Sequence, residues 1–156
     1  MVQPRSVSGR EQVVDTMIAL TRLSGLHRAI VAGSDSMALY LSLRRRGFVR
    51  IATPVTGPLP KGQHTVALIS GRGPLPSIEA ALGQVAPFLS TNAAIAILIC
   101  SGEDGSSLKI RHRLEQMGFR IEAGVRCHDG LVLSACRQGV RQLFARQGFA
   151  RIEQAA

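Results

Sequence analysis

Residues 93–100 read AAIAILIC, from Ala93 to Cys100, and are apolar at every position. Such a run is far too short to span a bilayer, and it lacks the alternation of a strand with one wet face. It is the pattern of a central strand in a sheet covered on both faces, as parallel sheets are. The neighbouring segments supply the covers. Before it, Ile78, Ala81, Leu82, Val85, Ala86 and Leu89 form one apolar stripe at helical spacing, with Ser77 the expected cap and Pro87 expected to distort the last turn. After it come a loop at 102–105 and a helix opened by Ser106, whose buried side is Ile110, Leu114 and Met117 and which Gly118 ends. Residues 119–127 and 131–136 then read as two strands joined around Asp129-Gly130, a favoured type I′ hairpin pair. That register sets Cys127 opposite Val132 and Cys136 opposite Ala123, too far apart for a disulfide.

Further upstream, strands and helices alternate. Ser8 and Glu11 stand in capping-box spacing, and Val13, Val14, Met17 and Ile18 give a helix one apolar face up to about Leu23. Residues 28–33 (RAIVAG) form a short strand ending in Gly33. Residues 35–46 contain neither Pro nor Gly and are rich in helix formers, with Ser34 or Asp35 as cap and Gly47 in the left-handed position beyond. Residues 48–53 (FVRIAT) read as a second strand, so the unit is a right-handed strand–helix–strand crossover. Residues 54–62 hold three prolines and two glycines, which excludes a helix or a central strand. Residues 65–70 (TVALIS) are the next strand. Gly47-Phe48, Gly118-Phe119 and Gly148-Phe149 repeat one helix-to-strand junction, suggesting a short strand or arm at 149–153 after a last helix bearing Val140, Leu143 and Phe144.

The expected architecture is a doubly wound, three-layer α/β sheet of about six strands, mostly parallel, with an antiparallel C-terminal hairpin. The expected organisation is a flexible N-terminus at 1–9, one domain at 10–148 and an arm at 149–156. With 46% hydrophobic and 19% charged residues the chain is globular. No apolar signal segment is apparent near Met1, and Cys100, Cys127 and Cys136 form no CxxC pair. Reduced thiols in a cytoplasmic protein are the expectation. The net charge is +9 and the pI about 11.2, almost all of it arginine. Nucleic acid is one partner that such a charge would suit, but no aromatics interleave with the arginines to stack bases. Arg44-Arg45-Arg46 is read as the last turn of a helix, where cations oppose the dipole. The four histidines have no metal-ligand spacing, and no nucleophile elbow is present.

In element order and length, residues 12–137 resemble the class I S-adenosylmethionine-dependent methyltransferases, and the segment from Ser77 to Arg137 is the most similar. The resemblance implies a cofactor loop after the first strand, acidic-x-Gly-x-Gly. Here the matching stretch is Val31-Ala32-Gly33-Ser34-Asp35-Ser36, with one glycine, and with its acid after that glycine. It also implies a carboxylate at the end of the second strand for the ribose hydroxyls, where this chain has Ile51-Ala52-Thr53-Pro54. Residues 54–62 stand where the family's third strand and adenine loop would be, and His64-Thr65 replaces the acid that usually opens the next strand.

Two loops at strand ends are the candidate ligand site: Gly33, Ser34, Asp35 and Ser36, whose backbone N–H groups precede a helix, and Ser70, Gly71 and Arg72. Glu103 and Asp104 are read as exposed loop carboxylates. The sequence favours a methyltransferase-like domain without efficient cofactor binding, acting as a binding, regulatory or assembly module. The alternatives are a methyltransferase with an atypical S-adenosylmethionine site and a basic nucleic-acid-associated protein. A homodimer through the sheet edge at the second strand is a further expectation.

Overall fold

The apolar run lies in β4 (Leu89–Ile99), which pairs in parallel with β3 (His64–Gly71) on one side and antiparallel with β6 (Gly130–Arg137) on the other. The computed structural model describes residues 9–54, 59–71, 74–100 and 105–137. Within them, β1 (Ala29–Ala32), β2 (Ile51–Ala52) and β5 (Phe119–Cys127) complete a six-stranded sheet of order β2-β1-β3-β4-β6-β5. The β2-β1-β3-β4 part is parallel and the β4-β6-β5 part antiparallel. No described helix is long and apolar enough to cross a membrane.

Alternate residues of the central strands feed two separate cores, because successive side chains leave a strand on opposite faces. Ile95, Ile97 and Ile99 join Ile78, Leu82 and Val85 of α3 (Leu75–Val85) and Ile110 and Leu114 of α4 (Ser106–Gln116). Ala96 and Leu98 join Val13, Val14 and Met17 of α1 (Gly9–Thr21) and Leu39 and Leu43 of α2 (Ser36–Arg45). Ile95, Ile97, Met17, Leu43, Leu82 and Leu133 have essentially no exposed surface, and each such side chain contributes about 1.5–3 kcal/mol of transfer free energy. The two helices on the second face are tied by charge. Arg46, just past the end of α2, reaches Glu11 and Asp15, one turn apart on α1, and Ser42 donates to Glu11 at 3.2 Å. The arginine run is therefore only partly a solvated end, since Arg46 anchors one helix to the other.

Several boundaries differ from the sequence reading, each for a local reason. Helix α3 starts at Leu75, with Pro74 rather than Ser77 at its cap; Pro76 lacks an N–H, which costs nothing in a first turn. Pro87 falls in a 3₁₀ turn (Ala86–Phe88) that leads directly into β4, four residues earlier than Ala93. Polar Ser90, Thr91 and Asn92 had masked that extension. Strand β2 is only two residues long, not six; Val49 and Arg50 stay exposed before it. Gly105, at φ +92°, caps α4, and Ser106 is its first residue. In the hairpin Cys127 pairs with Gly130 and Cys136 with Arg120. The turn residues are thus His128 and Asp129, one position before the expected pair, so His128 is not on a strand. None of the three cysteines is in a disulfide. The expected Ser8 cap, Glu103 and Asp104, the last helix and the arm at 149–153 lie outside the described residues.

His64 opens β3 and is buried. Its Nδ1 lies 3.3 Å from the Phe88 carbonyl oxygen, which only accepts, so this nitrogen carries the proton. Burial, with the nearby charge of Arg28, holds the imidazole below its ordinary pKa against the opposing pull of the Phe88 bond. As pH falls, the unfolded chain takes up this proton first. Stability from this group is therefore complete above the ordinary histidine range, is lost as pH drops through it, and levels off below the folded value. The melting temperature is expected to fall between about pH 7.5 and about pH 5, with part of that slope absent in His64→Asn. Equal slopes in the two proteins would remove His64 as the titrating group.

Candidate cofactor site

Strands β1 and β3 lie side by side and parallel, with Ala32 opposite Ile69, so the loops that leave them start together. Gly33 follows β1 at φ +106°, a backbone conformation L side chains rarely adopt. It also lies directly against the end of β3. A Cβ there would overlap the Ser70 carbonyl oxygen and come within 2.8 Å of the Ser70 carbonyl carbon. The Asp35 N–H donates to that same Ser70 oxygen at 3.3 Å, and the Ser36 N–H donates back to Gly33 at 3.2 Å. The structure thus brings Gly33, Ser34, Asp35 and Ser36 together with Ser70 and Gly71, as the topology required. Ser70 is buried and Ser34 exposed. Asp35 occupies the cap position of α2, but its side chain does not cap the helix. Arg72 lies outside the described residues.

The other boundary of this site comes from elements that the sequence did not mark. The hairpin turn between β5 and β6 sits at the same end of the sheet, because β6 runs antiparallel to β4 and Leu131 pairs with Ile99. Gly130, at φ +149°, passes so close to β4 that a Cβ would overlap the Ile99 carbonyl oxygen. The Asp129 carboxylate lies against Gly9, the first residue of α1, where a Cβ would be 2.6 Å away. A carboxylate is favourable at a helix N-terminus. Between these parts is a cavity of about 20 Å³ lined by Val13, Val14, Ala38, Leu39 and Leu98 with Arg10, Asp35, Ser70 and Asp129. That is room for about one water. Arg10 and Asp129 carried no motif, and only their position in the fold reveals them. At the end of β2, residues 51–54 supply no carboxylate, and Thr53 there is buried. Among the described residues no group of His, Cys, Asp and Glu could hold a metal ion.

No protein-family model matches the sequence, and neither does any curated protein. Solved structures do match. A precorrin-6y C5,15-methyltransferase from Geobacter metallireducens superposes with a TM-score of 0.59 at 14% identity, covering 89% of this chain and 94% of that one. The fold is that of the class I S-adenosylmethionine-dependent methyltransferases. The 1,6-didemethyltoxoflavin-N1-methyltransferase of Burkholderia thailandensis, solved with S-adenosylhomocysteine, gives 0.57 at 12% identity over 85% of this chain and 80% of its own. The magnesium protoporphyrin IX methyltransferase of Synechocystis PCC 6803, solved with S-adenosylmethionine, gives 0.56 at 13% identity over 88% and 86%. At such identities the likeness is one of fold. Within this methyltransferase-like fold, the described sheet ends at β2, with no strand beyond it where the family's third strand was expected.

The contact between Gly33 and Ser70 makes a direct prediction. Gly33→Ala is expected to cost about 2–4 kcal/mol, from overlap and from a strained φ together. Gly83→Ala, inside α3 with open space around it, is expected to gain up to about 1 kcal/mol from helix propensity. Urea denaturation of both variants checks the contrast, and equal effects would remove the close approach as its cause.

Proposed function

We propose that this chain is a non-catalytic member of the methyltransferase-like fold that works as a binding, regulatory or assembly module. The observation that carries this reading is the end of β2, where residues 51–54 offer no carboxylate, so that a ribose would have no paired acceptor. Beside it, the Gly33 loop rests directly on the Ser70 carbonyl, and α1 rests on the Asp129 turn. Residues 10–148 are taken as one domain in this reading, and three cysteines outside any disulfide suit a reducing compartment such as the cytoplasm.

One observation favours a second reading, an S-adenosylmethionine-dependent methyltransferase with an atypical site. Gly33, Ser34, Asp35 and Ser36 do converge with Ser70 at the carboxyl ends of parallel strands, where doubly wound sheets bind ligands. Gly33 would then let the backbone approach the methionine portion, with the N–H groups at the start of α2 holding its carboxylate.

A thermal-shift titration separates the two. A ligand present at about 100 times its dissociation constant adds about 2.7 kcal/mol to the folded state, which raises the melting point of a domain this size by several degrees. No shift is expected with S-adenosylmethionine or S-adenosylhomocysteine at millimolar concentration. A saturable rise at micromolar ligand would replace the non-catalytic reading with the second.

A further inference from the structure

We infer that the end of the sheet opposite the Gly33 and Ser70 loops docks on an anionic phospholipid surface. Strands β2, β1 and β3 are parallel neighbours, so the segments that lead into them, residues 44–50, 22–28 and 59–64, lie in a row. Arg50 donates to the Leu26 carbonyl at 3.4 Å and Arg28 to Gln63 Oε1 at 2.7 Å, which ties the three together. Two of the segments carry an aliphatic side chain in the open: Leu26 is 80% exposed and Val49 65%. Leu26 is held there by its own turn, in which the Ser24 N–H donates to His27 Nδ1 and the His27 N–H to the Ser24 carbonyl, both at 3.1 Å. Around these side chains Arg22, Arg28, Arg44, Arg45, Arg50 and Lys61 are exposed. The three segments contain no Asp or Glu. Of their cations, only Arg46 has an ion pair among the described residues, with Glu11 and Asp15.

Shape and charge together select the occupant. Gly25, Gly47 and Gly62, one in each segment, all have open space where a Cβ would be. The row is therefore a set of projecting turns, whereas an amphipathic peptide needs a groove or a sheet edge to receive it. A bilayer interface needs neither. Aliphatic side chains enter the boundary between headgroups and acyl chains, while Arg and Lys stay at the level of the phosphates. Nucleic acid would meet the cations but leave Leu26 and Val49 in water, and Phe48 packs against the core rather than offering its face to a base. A second copy would bring the same cations together, and like charges in an interface are costly. Residues 138–156 carry Arg141, Arg146 and Arg151 against one acid, Glu153, so they too have the wrong sign to cover the row. This end lies away from the strand ends that would meet S-adenosylmethionine, so vesicle binding and the thermal shift are independent readouts.

The test is co-sedimentation of the full chain with phosphatidylcholine vesicles that do or do not contain phosphatidylglycerol. Binding is expected only where phosphatidylglycerol is present, and it should weaken at least about tenfold in Arg44→Glu/Arg45→Glu. Leu26→Ser/Val49→Ser keeps every charge and should weaken binding about fivefold or more. Lys109→Glu/Arg113→Glu makes the same change of net charge on exposed residues of α4 and should have little effect. All the substituted residues are exposed, and unchanged melting curves would show that the variants fold. Vesicle binding that is absent, that ignores Leu26→Ser/Val49→Ser, or that falls as far in Lys109→Glu/Arg113→Glu overturns the proposal. Duplex RNA, a peptide of alternating Glu and Val, and self-association are followed with the same variants. Binding to any of these that Leu26→Ser/Val49→Ser abolishes also overturns it, because the two aliphatic side chains would then belong to that partner.

Discussion

Covering the two faces of β3 and β4 is the constraint from which the rest of the architecture follows. Ile95, Ile97 and Ile99 face one way and Ala96 and Leu98 the other, and all are buried. An eleven-residue strand of this kind cannot be stable with one face in water. Helices α3 and α4 cover the first face and α1 and α2 the second, each through a stripe of aliphatic residues. The ion pairs of Arg46 with Glu11 and Asp15 then fix how the second pair of helices sit together.

That constraint was legible because it is written as periodicity. The apolar run at Ala93 to Cys100, the stripe from Ile78 to Val85 and the spacing of Ile110 and Leu114 each give an element and its buried face. Boundaries were less legible, since they depend on contacts outside the segment. Ser90, Thr91 and Asn92 look like a loop, yet they continue β4 because the 3₁₀ turn at Pro87 points the chain along β3. Phe48 to Thr53 looks like a full strand, yet only Ile51 and Ala52 pair with β1. The hairpin turn moved by one residue because Gly130 is required in the strand, where β4 leaves no room for a Cβ.

The candidate site was half legible. Gly33 and the residues after it, and Ser70, could be placed at adjacent strand ends from topology alone, and they do meet. How closely they meet could not be read, because it depends on the separation of two backbones. Nor could the contribution of Arg10 and Asp129, which come from the two ends of the described chain. The same glycine that a cofactor loop uses for approach to a ligand here permits approach to a neighbouring strand. A glycine in that position therefore identifies a crowded place, and what crowds it must be seen.

The position of β6 between β4 and β5 has a consequence for how the protein is made. The last described strand of the chain is an interior strand of the sheet, with hydrogen-bonded neighbours on both sides. During synthesis, β1 to β4 emerge first, and the antiparallel side of β4 stays unpaired until residues 130–137 have left the ribosome. Strand β5 emerges before β6, the strand it pairs with among the described residues. Nascent chains shorter than this therefore expose an unpaired edge of the apolar strand β4, the kind of surface that chaperones hold and that aggregates capture. Premature termination shortly before Gly130 would thus do more harm than loss of the residues themselves.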